Sequence, residues 1–213
     1  MTSARRTLAV GLFGSVLLIQ EAKAQTATII RSTQKVLPTD SPLAAQSIEI
    51  SAAQNEFEAF ELVVIGGTRG LSSVSVTKPV FSRDGASDSV DASATRLYRE
   101  GTVLLTQPSS NEGAVGASRS SPIAYPDPLI PGTETVAAAS FAGGWTETVT
   151  SEPRSGLPFD VPRNGNVVVF ADVHVPDGTV PGHYTGSTTV SAKYSDNTSQ
   201  VFQTSFTIGL TVR

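Results

Sequence analysis

The sequence predicts an all-β protein folded as an antiparallel β-sandwich, and three observations carry that expectation. The last stretch alternates strictly, with Phe202, Thr204, Phe206, Ile208, Leu210 and Val212 on one parity and Gln203, Ser205, Thr207, Gly209 and Thr211 on the other. Period two over such a span describes a strand with one buried face. Short runs of β-forming residues recur along the chain, punctuated by Gly, Pro, Asn and Asp. After Gln25 no apolar stripe with helical spacing is present. Together these predict a sandwich of immunoglobulin-like or jelly-roll-like type.

Taken in order, the expected strands are Thr28–Val36, Ser47–Ala52, Phe57–Ile65, Leu71–Phe81, Thr95–Arg99, Thr102–Gln107, Asn166–Pro176, Tyr184–Tyr194 and the final alternating strand. The turn pairs Ser41-Pro42, Gly66-Gly67, Asp84-Gly85, Asp177-Gly178, Pro181-Gly182 and Asp196-Asn197 separate them. Within Phe57–Ile65, the odd residues Phe57 and Ala59 call for the core, whereas Leu62 and Val64 call for it on even positions. A one-residue bulge near Ala59 would reconcile them. Residues 108–162 are rich in Pro, Gly and Ser and carry no period, so they read as a long irregular insertion and the first place to look for a working surface.

The N-terminus reads as an export signal. Arg5 and Arg6 precede an apolar run ending near Ile19, followed by Ala22-Lys23-Ala24. The run is shorter than the roughly 20 residues of a membrane-spanning helix. Residues 1–24 are therefore expected to be removed, leaving 25–213 as a single secreted or periplasmic domain with no membrane span. Removal takes basic residues from 15 to 12 and acidic ones from 19 to 18, a net charge of about −6. That balance gives no electrostatic reason to bind nucleic acid. The chain has no cysteine, which excludes a lipid anchor at the cleavage point and any disulfide.

Catalytic candidates are few. Glu56, Glu58 and Glu61 form an E-x-E-x-x-E string, and the bulge near Ala59 would bring all three to one face. Carboxylates so placed could act as nucleophile and acid/base of a retaining glycosidase. The string resembles the E-x-D-x-x-E motif of family 16 β-glucanases, although its central Asp is Glu and the chain has one Trp in all. The competing reading is the polar face of a half-exposed strand. His174 and His183 are read as surface or packing residues, and Asp84, Asp88 and Asp91 as a solvated loop. Neither group has the spacing of a zinc or calcium site, so no metal or cofactor is expected. For carbohydrate binding, the candidates in the irregular region are Tyr125, Asp127 and Trp145, whose rings and polar group suit a sugar.

Several segments together resemble the N-terminal sandwich of glycoside-hydrolase-family-123-like proteins. They are Asn55–Val64, the Tyr125-Pro126-Asp127-Pro128-Leu129-Ile130-Pro131 segment, and Val173-His174-Val175-Pro176 followed by Pro181-Gly182-His183-Tyr184-Thr185-Gly186. The likeness spans about residues 46–213. It implies a sandwich that accompanies a barrel, where that family's catalytic acidic pair resides. No position here corresponds to that pair, and Gln usually stands where this chain has Glu61. It further implies a non-catalytic accessory module, with glycan or a barrel-type catalytic domain as partner. Two other functions are carried alongside it: a stand-alone structural or adhesive domain pairing through a strand edge, with the final strand as the candidate edge, and a small glycosidase using Glu56, Glu58 and Glu61. Tyr184 resembles the tyrosine of immunoglobulin-like corners and is assigned to structure.

Overall fold

Two sheets face each other across one core. The computed structural model describes residues 24–106, 123–132 and 156–213. The first sheet has the order β1 (Thr26–Arg31), β3 (Phe57–Ile65), β10 (Asn166–His174), β7 (Thr95–Leu105) and β8 (Ile123–Pro131). The second runs β2 (Ser47–Ala52), β12 (Asn197–Val212), β11 (Gly182–Tyr194), β4 (Leu71–Val76) and β9 (Phe159–Val161). β5 (Phe81–Arg83) pairs with β11 and with β6 (Ser89–Val90). Among the described residues the one helical element is a 3-10 turn at Ala92–Ala94. All pairings are antiparallel except β2 with β12, which is parallel.

The core fills from the two inner faces. Phe60, Leu62 and Val64 of β3 and Val169, Ala171 and Val173 of β10 meet Tyr184 and Val190 of β11 and Phe206, Ile208 and Leu210 of β12. The alternation read in the last strand is the alternation observed, from the buried Phe206 to the buried Val212. The final strand is an edge over only part of its length: β2 covers Thr207–Val212, while Asn197–Phe206 pairs with β11 on one side and with no described strand on the other.

Several expected strands have other bounds. Leu71–Phe81 divides into β4 and β5, Thr95–Arg99 and Thr102–Gln107 join into one strand ending at Leu105, and the first strand runs Thr26–Arg31. The irregular stretch contains β8 and β9. Three prolines of β8, Pro126, Pro128 and Pro131, hide its strand character, yet an edge strand tolerates them because its outer N–H groups need no partner. Its register with β7 shifts between Glu100 and Thr102, at Gly101.

No bulge interrupts β3. Its register with β1 and with β10 is continuous, Phe60 opposite Ala171 and Glu61 opposite Phe170. The parity change has another cause. The segment joining β1 to β2, residues 32–46, crosses the outer face of the first sheet and lays Val36 against Ile30, Val63, Ile65 and Val168. The later half of β3 is thus buried on both faces and apolar on both parities. The Asn166 amide pins the crossover, donating to the carbonyls of Leu37 at 2.8 Å and Asp40 at 2.7 Å.

The corner role of Tyr184 holds. Its ring is fully buried and its hydroxyl donates to the Val180 carbonyl at 2.7 Å. Tyr184→Phe removes that bond and is expected to lower stability by about 1–2 kcal/mol, measured by urea unfolding. An unchanged midpoint would mean that the hydroxyl does not secure the hairpin.

Candidate functional site

The outer face of the first sheet carries the most unusual group of the described residues. Strand parity and the crossover place Glu61 there beneath the segment 32–46, where it is 2% exposed. Its Oε2 has no hydrogen-bond partner. Burial pushes its carboxyl up to about 8, the nearby Glu100 carboxylate adds to the rise, and the Lys35 ammonium opposes it. Glu61 is therefore neutral at neutral pH. Glu100, on β7, is also buried and accepts a 3.0 Å hydrogen bond from Lys35 Nζ. Burial works against the charge on Lys35, but its bond and proximity to Glu100 outweigh this and hold its pKa above the ordinary value.

A neutral and a charged carboxyl side by side have the electronic form of an acid/base pair. The geometry uses them otherwise. Glu100 reaches a cleft of about 170 Å³ lined by Val36, Pro38, Gly101, Thr102 and Pro126. That is below the roughly 300 Å³ at which small-molecule pockets begin. In this arrangement Lys35 ties the crossover to β7, while Glu61 lies under it as a desolvated acid.

The expected carboxylate triple does not assemble. With no bulge, Glu58 and Glu61 lie on opposite faces of β3, Glu58 sharing the parity of Phe60 and Leu62. Glu56 precedes the strand in an exposed turn, where its carboxylate accepts from the Ala53 N–H at 2.6 Å. The string drew attention to Glu61, but its neighbours are Glu100 and Lys35, distant in sequence and joined only by the sheet. Tyr125 and Asp127 stand exposed on β8, two residues apart, and Trp145 lies outside the described residues.

The remaining polar candidates have structural partners. His183 sits between Asp84, at 2.8 Å from Nδ1, and Glu49, at 3.2 Å from Nε2. The hydrogen bonds to Asp84 and Glu49 raise the His183 pKa. Asp88 pairs with Arg83, and Asp91 accepts from the Ser93 N–H at the start of the 3-10 turn. Among the described residues no three His, Asp or Glu side chains form a group that could hold a metal ion. His174 stacks on Phe57, ring centroids 4.6 Å apart. No described helix is long and apolar enough to cross a membrane.

This architecture has a solved counterpart. The chain is similar to a family 123 glycoside hydrolase from Clostridium perfringens, studied for glycolipid glycan hydrolysis, with a TM-score of 0.63 and 15% identity over 89% of this chain. It spans 27% of that protein's length. At that identity the likeness is one of fold. It is also similar to a PapD-like domain of human CEP192, at 13% identity over 98% of both chains and a TM-score of 0.39. A third similar structure is AggA, the major subunit of an Escherichia coli aggregative adherence fimbria, at 14% identity, 89% of this chain, 95% of the other and a TM-score of 0.37. No family model matches the chain, and no curated protein matches it.

Proposed function

We propose that this chain is a non-catalytic sandwich of a secreted carbohydrate-active system, and that it holds glycan. The observation that carries the reading is the fold match to part of a family 123 glycoside hydrolase. The Tyr125–Pro131 segment and the Pro181–Gly186 hairpin, which resemble that family in sequence, fall on β8 and on the corner that opens β11. The burial of Glu61 and Glu100 supports a binding role over a hydrolytic one, since neither acid presents itself to a bulky substrate. In this reading the long final strand and the crossover build a rigid frame, and the open surface outside them meets the sugar.

The test is a glycan array probed with the purified protein. The expected result is reproducible binding to one structural class of glycan. Absence of binding across neutral, acidic and N-acetylated oligosaccharides would overturn the proposal.

A further inference from the structure

The crossover covers only part of the outer face of the first sheet. It lies over Val63, Ile65 and Val168 and buries Glu61 in the next row, whereas Phe57, Ala59, Phe170, Asp172, His174, Arg96 and Tyr98 are left exposed or half-exposed. The register defines those rows. Phe57 stands opposite His174, Ala59 opposite Asp172 and Asp172 opposite Arg96, and Phe170 opposite Tyr98. The first and last of these are ring pairs. Phe57 and His174 stack at 4.6 Å with 25° between planes, and Tyr98 meets Phe170 edge to face at 6.4 Å.

Between the ring pairs runs a row of a different kind. Ala59 is small, and Asp172 and Arg96 are charged. Rows on one strand face are about 6.7 Å apart, so the two ring pairs stand roughly 13 Å apart along β10 with this polar row between them. Neither the Asp172 nor the Arg96 side chain makes a hydrogen bond or ion pair among the described residues. Burial raises the Asp172 carboxyl, with the charges of Arg96 and His174 opposing, so this acid is half-desolvated and has received no donor in exchange. Phe57 is 49% exposed although it is a large apolar ring.

We infer that this trough, with Phe57/His174 and Phe170/Tyr98 as walls and Ala59, Asp172 and Arg96 as floor, binds a neutral pyranoside lying across the strands. A sugar ring offers apolar C–H faces to aromatic rings, and vicinal hydroxyls that donate to a carboxylate and accept from a guanidinium. The trough supplies each complement, with acid and base balanced so that it favours no charged ligand. The floor can be approached because position 59 is alanine. The inference rests on the glycan-holding reading above and assigns it to a surface other than Tyr125 and Asp127.

The test measures affinity for chitotetraose and for a mixed-linkage β-glucan oligosaccharide, by calorimetry, in the wild type and in Phe57→Ala, Asp172→Asn and Tyr125→Ala. At least one probe is expected to bind, and the first two substitutions to weaken it on the order of tenfold while Tyr125→Ala leaves it unchanged. In the wild type alone, NMR titration is expected to shift the Ala59 methyl, a readout independent of whether any variant folds. Undiminished binding by Phe57→Ala and Asp172→Asn with a still Ala59 methyl would overturn the trough and leave the glycan-holding reading standing. Binding lost only in Tyr125→Ala would do the same and move the site to β8. A wild type that binds neither these probes nor any glycan on the array would overturn both.

Discussion

Glu61→Gln makes the protein more stable at neutral and alkaline pH. The folded chain holds this carboxyl neutral up to about pH 8, against an ordinary value of 4.5. Below pH 4.5 the group is protonated in both states and costs nothing. As pH rises from 4.5 to 8 the unfolded chain ionises freely while the folded one resists, and stability is lost throughout that window. At pH 7 the loss is on the order of 3 kcal/mol. Glutamine keeps the shape and removes the titration, but its amide inherits the same scarcity of partners. The net gain is therefore expected at about 2 kcal/mol near pH 7, or roughly 4–8 °C in melting temperature. Thermal unfolding at pH 4, 7 and 9 checks it. The gain should be gone at pH 4, where only the amide's cost remains and leaves the variant slightly less stable than wild type, and largest at pH 9. An equal gain at all three would assign the effect to packing instead.

Gly66→Ala is expected to be the most damaging single-methyl addition. Gly66 follows β3 and donates its N–H to Gly165 at 2.9 Å. A methyl on Gly66 would run into the Pro162 carbonyl oxygen, and that of Val161 lies 3.1 Å from it. Both are backbone atoms, Val161 at the end of β9 and Pro162 in the link to β10 held by the sheets at either end, so neither can swing aside. The expected cost is about 3 kcal/mol or more, a fall of roughly 6–12 °C. Urea unfolding should show the midpoint move with an unchanged slope. A loss below about 1 kcal/mol would mean that the link gives way easily. The Gly66-Gly67 pair reads in the sequence as a turn signal, and it is one. The demand at Gly66 comes from a chain segment about a hundred residues away that no local pattern announces.

The same division between local and distant causes runs through the whole chain. β2 and β3 have the bounds the sequence predicts because their pattern and their turns are local. Tyr184 was legible because a buried corner tyrosine answers to a carbonyl four residues before it. The parity of β3 was misread because what buries Val63 and Ile65 is the crossover, and a covered outer face looks in sequence like a slipped register. β8 was missed because three prolines in nine residues suppress every strand signal except its place at an edge. The candidate site followed suit. Glu61 could be singled out from its string, but the string joined it to Glu56 and Glu58, whereas the sheet joins it to Glu100 and, through the crossover, to Lys35. The ring pairs of the trough lie on β3, β7 and β10, and only the register shows them as neighbours.

The parallel pairing of β2 with β12 has a consequence for how the chain reaches its fold. β2 finds its one sheet partner at Thr207–Val212, with most of the described chain in between. As the chain folds, Ser47–Ala52 stays unpaired until β12 arrives, and β11 waits for the same strand on one of its sides. The second sheet cannot close piecemeal from its beginning. Closure of so distant a contact is slow, in the range of milliseconds to seconds typical of sandwiches. The second sheet therefore assembles around β12, the strand that joins β2 to β11.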